Sequence, residues 1–127
     1  MPDLSQPVKA AILARLDADA AVTAIVPAGR IFPLKVEAKP TYPFIRYDPP
    51  TNRAYENTCG AGSEMLVRIS AFTRDEDDMQ ALAAAIVAAL DDMPGFQQCD
   101  WTGAQMIPDP EADVFHAALD FTVVHTA

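Results

Sequence analysis

Five clusters in this 127-residue chain hold residue types that do chemistry. Gly60-Ala61-Gly62-Ser63 has the small residues that let backbone N–H groups surround a phosphate. A phosphate loop also needs a third glycine or a Gly-Lys-Ser/Thr ending, and a helix after it. Here a strand pattern follows, so 60–63 reads as a hairpin tip. Asp109, Glu111 and Asp113, with Asp120 at the twelfth position counted from Asp109, have the oxygen spacing of a calcium loop. Pro110 lies inside that loop, Val114 stands where its sharp-turn glycine belongs, and the alternation from Val114 onward demands a strand. A solvated turn fits better. His116 and His125 lie nine positions apart on one strand and face opposite ways, so they cannot chelate one ion from within it. Cys59 and Cys99 are forty positions apart, with no second thiol or histidine at ligand spacing near either, and both read as free thiols. Glu76-Asp77-Asp78 is an acidic run at the start of a helix, where negative charge meets the positive end of the helix dipole. No Gly-x-Ser-x-Gly elbow is present. The sequence thus assigns no catalytic residue, no cofactor and no metal ligand, while a triad assembled only by the fold stays open.

Composition narrows the classes further. Half of the residues are hydrophobic, which supports one globular domain over residues 1–127 with a substantial core. Eighteen Asp and Glu against nine Lys and Arg give a net charge of −9. A surface that wraps nucleic acid needs the opposite sign. No run approaches the length of a membrane span, and the first residues lack the basic-then-apolar order of a signal peptide. The default compartment is the cytosol, without a membrane partner.

The elements that must position any site are organised around Ser63 to Gly95. Met65, Val67, Ile69 and Ala71 alternate with Leu66, Arg68, Ser70 and Phe72, the period of a strand. Both faces are partly apolar, so this strand is central. Thr73 or Asp75 caps a helix whose Met79, Leu82, Ile86, Ala89, Leu90 and Met93 form one apolar stripe, and Pro94-Gly95 stops it. Such a helix must lie on a sheet, and the strand before it is the obvious partner.

Toward the N-terminus, Ser5 and Pro7 open a helix whose Val8, Ala11, Ile12 and Leu16 share a face. A second short helix, capped by Asp19, carries Val22, Ile25 and Val26 and ends at Pro27-Ala28-Gly29. Arg30-Ile31-Phe32 is long enough only for an edge strand. Pro33, Pro40 and Pro43 enclose a loop with Lys35 and Lys39. Phe44 to Asp48 is the next strand, stopped by Pro49-Pro50. Thr51 to Gly62 is small and polar, a loop unusually long for a compact domain. A strand surrounds Cys99-Asp100-Trp101-Thr102, and Pro108-Asp109-Pro110-Glu111 turns into a last strand from Asp113 to His125. On that strand Phe115, Ala117, Leu119, Phe121 and Val123 face one way and His116, Asp120 and Thr122 the other. The order predicts an α+β domain: an antiparallel or mixed β-sheet of about four to five strands with two main helices on one face.

Several of these blocks stand in a familiar order. Ala14-Arg15-Leu16-Asp17-Ala18-Asp19-Ala20, Val22-Thr23-Ala24-Ile25-Val26, Gly29-Arg30-Ile31-Phe32 and Tyr42-Pro43-Phe44-Ile45-Arg46-Tyr47 resemble the tail-terminator (tail-completion) family of tailed phages, prophages and gene transfer agents. Val67-Arg68-Ile69-Ser70-Ala71-Phe72, Ala85 to Leu90 and Phe115 to Phe121 resemble that family's later blocks, whereas Thr51 to Gly62 with Cys59 matches none of them. The resemblance implies a structural, non-enzymatic protein that forms a ring, typically a hexamer, at the head-proximal end of a tail tube. It also implies a virion location in the tail-neck region, after a stay in the bacterial cytoplasm. Its implied partners are further copies of the chain, the tail tube protein and a head-side connector or stopper protein. DNA would pass the lumen without specific binding, and a six-copy ring would repeat the charge of −9 six times. The competing readings are a head-tail adaptor or stopper of the neck, and a small cytosolic ligand-binding domain or enzyme. Unpaired edges and a long loop are what an assembling ring uses. Arg30 and Phe32 at the edge, with Arg53, Tyr55 and Glu56 in the loop, are therefore the candidate interface residues.

Overall fold

The computed structural model describes residues 5–27, 29–33, 41–48, 51–57, 60–94, 96, 98–109 and 114–126. In chain order the elements are α1 (Ser5–Ala18), α2 (Ala20–Thr23), β1 (Ile31–Pro33), β2 (Phe44–Tyr47), β3 (Thr51–Asn57), β4 (Gly60–Thr73), α3 (Glu76–Leu90), β5 (Gln98–Asp109) and β6 (Val114–Thr126). This is the α+β fold expected, with a mixed sheet. Its main path runs β1-β2-β4-β6-β5, and β3 pairs with β4 besides. The β1–β2 pair is parallel and every other pair antiparallel.

β4 is the central strand that its two-sided apolar pattern predicts. One edge pairs with β6 from Gly62↔Thr126 to Thr73↔Phe115. The other edge is shared end to end by β2 and β3. Tyr47 pairs with Ile69 and Thr51 with Leu66, so the β2–β3 side holds one residue more than β4 does. A one-residue excess is what a bulge accommodates. Pro49 and Pro50 fall in that interval of the sequence, and having no N–H they could donate no rung to β4.

The reading of Thr51 to Gly62 as a long polar loop is therefore corrected. Thr51–Asn57 is a strand in continuous register with Leu66 to Gly60, and the glycines of 60–63 lie inside β4. Residues 58 and 59, with Cys59, lie outside the described residues. Backbone pairing to a strong neighbour outweighs the weak strand preference of Asn52, Glu56 and Asn57, because strand propensity is mostly context.

The helices cover one face. Val8, Ile12 and Leu16 of α1 are buried. Asp19 caps α2 as expected, its carboxylate accepting the Val22 N–H at 3.0 Å. Asp75 caps α3 by accepting the Asp77 N–H at 2.9 Å, and Glu76, Asp77 and Asp78 occupy the first turn. α3 ends at Leu90, before Pro94-Gly95. Asp92 adopts a left-handed backbone with φ 59°, which aspartate tolerates better than most residues. Its N–H then donates to the Cys99 carbonyl at 2.7 Å, tying the end of α3 to β5. The Arg15 guanidinium donates to the Ala89 carbonyl at 3.0 Å, joining α1 to the last turn of α3, where free carbonyls favour a cation.

Ile69, Ile86, Leu90, Leu119 and Phe121 share one buried cluster with Met65, Met79 and Leu82. Leu90 is 1% exposed at the meeting of α3 with the sheet. Leu90→Ala should cost about 2–5 kcal/mol, the range for removing a buried leucine side chain. Urea unfolding measures it; a loss below about 0.5 kcal/mol would show that the helix face is not part of the core.

Candidate functional site

Among the described residues no helix lies on the opposite face of the sheet, and two ladders of side chains cross it. The first is aromatic. Phe72 stacks on Phe44 at 4.6 Å between ring centroids and on His116 at 4.3 Å, each at 16° between planes. Phe32 meets Phe44 edge-on at 6.0 Å, so the row links β1, β2, β4 and β6. Phe44↔Phe72 and Phe72↔His116 are register pairs, the arrangement in which cross-strand rings contribute most to a sheet.

The second ladder is charged. Arg46 pairs with Asp48, and its guanidinium lies 5.2 Å from the Phe72 centroid. Asp48 also accepts the Ser70 hydroxyl at 2.6 Å, which satisfies a fully buried donor. Arg68 contacts both oxygens of Asp120, at 2.9 and 3.4 Å, from the register partner strand. Each of these cations has a carboxylate beside it, so these two pairs leave no net charge on this part of the face.

Asp48, Ser70 and His116 are the residue types of a nucleophilic relay, and the fold does bring them to one face. Their geometry is not that of a relay. A nucleophilic hydroxyl donates to an imidazole nitrogen and is open to substrate. Here the Ser70 hydroxyl donates to a carboxylate and is fully buried. His116 lies flat on Phe72 with its Nε2 buried and, among the described residues, without a hydrogen-bond partner. Among the described residues no three His, Cys, Asp or Glu side chains gather as metal ligands, and no helix is long and apolar enough to cross a membrane.

Cys99 is a free, buried thiol that donates to the Leu90 carbonyl at 3.2 Å. Burial pushes its pKa up, helped slightly by the carboxylates of Asp100, Asp91 and Asp92 and opposed by a backbone hydrogen bond at Met93, and the net rise disfavours the reactive thiolate.

The sequence-derived interface residues fall on one side of β4. Arg30 and Phe32 flank and lie in β1, which pairs with β2, while Arg53, Tyr55 and Glu56 lie in β3 opposite Glu64, Gly62 and Ala61. Arg30 is partly committed already: its carbonyl accepts the Ile45 N–H at 2.9 Å and its guanidinium reaches the Tyr42 carbonyl at 3.5 Å. Phe32 is half-buried against Phe44. The aromatic and charged ladders escaped the sequence reading, although the alternate positions of three strands carried the signal: Phe44 and Arg46, then Arg68, Ser70 and Phe72, then His116 and Asp120.

Comparison with known proteins gives matches of two kinds, to a family and to solved structures. The family described as tail completion protein gp17 matches residues 10–126. A chain in the solved structure titled "Virion of native gene transfer agent (GTA) particle" superposes with a TM-score of 0.78 at 23% identity, covering 92% of each chain. At that identity the likeness is one of fold. Among curated proteins none matches significantly.

The position of His116 has a measurable consequence. Burial first, then the nearby guanidinium groups of Arg46 and Arg68, lower its pKa against the opposing pull of Asp48. The unfolded chain therefore binds this proton at a higher pH than the folded chain does. Stability from this group is complete above the unfolded value of 6.5 and is lost as pH falls from there through the lower folded value. His116→Gln should remove that part of the acid-side loss. Unfolding midpoints from pH 7.5 down to about 5 measure it, and equal slopes for both proteins would contradict the assignment.

Proposed function

Because the chain belongs to the tail completion protein gp17 family, we propose that this structural phage-tail protein forms a ring at the head-proximal end of a phage-like tail tube. There it ends tube polymerisation and joins the tail to the head connector. The family match over residues 10–126 carries this reading. In it the ring has six copies, its neighbours are the tail tube protein and a head-side connector or stopper, and DNA passes the acidic lumen without specific binding. The subunit waits in the bacterial cytoplasm and ends in the tail-neck region of the virion.

Physical arguments favour a scaffold of this kind. The sheet face without helices is held by stacked rings and paired charges, which make a stiff wall. β3 borders β4, and β1 borders β2, both on the side of β4 away from β6, and their outer edges offer backbone groups that a neighbour can use. In this reading Arg30, Phe32, Arg53, Tyr55 and Glu56 contact adjacent copies or the tube, Tyr55 as the aromatic anchor that interfaces favour.

Deleting Ala54 to Gly60 tests the role of the β3–β4 hairpin. The register leaves Arg53 opposite Glu64, so the strands can rejoin through the three residues between. Circular dichroism should show the fold retained, and electron microscopy should show lost rings or overlong tails. Rings and tails of normal length would remove the hairpin from the contact surface.

A further inference from the structure

β5 ends the sheet path, and only part of its outer edge is closed. Backbone groups of an antiparallel strand point alternately toward its two sides. The Trp101 N–H donates to the Asp91 carboxylate at 3.0 Å, and the Cys99 carbonyl accepts the Asp92 N–H at 2.7 Å. Cys99 and Trp101 therefore face outward and are capped by the residues that end α3. The register shift between Trp101 and Gly103 moves the alternation by one residue. Beyond it Ala104 and Met106 face outward, because they oppose Leu119 and Ala117 as Trp101 opposes Phe121. Among the described residues nothing meets the N–H or C=O of either one. Pro108, the next outward position, has no N–H to offer.

The open stretch between the cap and the proline lacks the charge that usually protects an edge. Trp101 to Ile107 holds no charged residue. Met106 and Ile107, which alternate onto opposite faces, are 48% and 37% exposed. Its free backbone groups call for an extended strand.

The register identifies that strand. β1 is the other end of the path, and it is open in the same rows. Followed across the sheet, Ile31, Ile45, Ala71, Ala117 and Met106 form one row, and Pro33, Tyr47, Ile69, Leu119 and Ala104 another. The Arg30 carbonyl accepts the Ile45 N–H, so Arg30 faces β2 and alternation turns Ile31 and Pro33 outward. Ile31 offers an N–H and a C=O that nothing among the described residues meets, and Pro33 offers a C=O. β3, the remaining open edge, lies in the rows of Gly60 to Leu66. Those rows reach β5 at Gln98 to Asp100, where Asp92 already takes the outward Cys99 carbonyl. The pairing directions agree as well: β1–β2 is parallel and the three later pairs along the path are antiparallel, so β1 and β5 run in opposite senses.

We propose that the outer edge of β5, at Ala104 and Met106, pairs antiparallel with the outer edge of β1 of a second copy, so that the sheet continues from one subunit into the next. This rests on the ring reading above and names the surface that the ring uses. β1 keeps its pairing with β2 and adds only its free side. Met106 then exchanges two hydrogen bonds with Ile31, and the Ala104 N–H donates to the Pro33 carbonyl. β1 and β5 are opposite ends of the path, so the contact is head to tail, the type that generates rings. Phe32 and Gln105 fall opposite each other between these rungs, as a pair without hydrogen bonds whose Cα atoms lie about 4.5 Å apart. A disulfide can span that separation.

The test makes Phe32→Cys and Gln105→Cys in separate full chains, mixes them and oxidises them across a concentration series, with and without purified tail tube protein. Light scattering reports the mass, and peptide mapping separates the new bond from any bond to the native cysteines. The expected result is a disulfide between position 32 of one copy and position 105 of another. Met106→Pro in the Gln105→Cys chain should lower its yield about tenfold, because one hydrogen bond is lost and the Ile31 carbonyl is left unpaired. Circular dichroism should show that chain folded, since the Met106 N–H faces away from β6; Ala104→Pro, which removes the other outward N–H, replaces it if it is not. An undiminished yield from a folded proline variant would overturn the backbone pairing. Multimers by mass without the disulfide would overturn the β1–β5 contact and leave the ring reading standing. A chain that stays monomeric in both arms, without the disulfide, would overturn both.

Discussion

The backbone of β4 is the constraint on which the rest depends. Fourteen residues in one strand present donors and acceptors along both edges, and buried groups of this kind must be paired. β6 meets one edge over twelve register pairs. No single strand meets the other: β2 takes Ile69 to Phe72 and β3 takes Gly60 to Leu66. The strand's side chains divide the molecule in two. Met65, Val67, Ile69 and Ala71 anchor the core under the helices, while Arg68, Ser70 and Phe72 anchor the charged and aromatic ladders on the other face.

Each face is stable for a different reason. Under the helices, apolar area leaves water, and α1 is further tied to α3 through Arg15. On the opposite face, where no helix lies among the described residues, ring stacking, the Ser70–Asp48 hydrogen bond and the Arg68–Asp120 pair hold neighbouring strands in register. Ser70 shows the coupling: it is fully buried, and only its bond to Asp48, itself paired with Arg46, makes that burial tolerable. Arg68 and Asp120 sit half in solvent, where a pair of this kind adds little energy but disfavours a register slip.

Much of this was legible in the sequence. The alternation of Met65 to Phe72, the α3 stripe, the Asp19 and Asp75 caps and the inward set of β6 all describe local periodicity or capping, which a sequence displays directly. The β3 strand was not, because Thr51–Asn57 owes its conformation to register with β4 rather than to its own side chains. The sequence put the stop of α3 at Pro94-Gly95, whereas the helix ends at Leu90 and Asp92 takes a left-handed position just after it, a role that its side chain does not announce. The ladders were illegible for a related reason. Phe44, Phe72 and His116 are far apart in sequence and meet only once the strand order is known. The charge-free run from Met79 to Leu90 was plainly written but read only as core, and its exposed half became visible with the fold.

A continuous sheet with strand edges at β1 and β3, and a helix whose Met79–Leu90 run carries no charge, suit the building block proposed above. The central claim is that this chain ends the growth of a tail tube. The most direct measurement polymerises purified tail tube protein with and without the chain and records tube lengths by electron microscopy. The account predicts shorter tubes of narrow length distribution, each carrying a ring of added density at one end. Tubes of unchanged length with bare ends would contradict it.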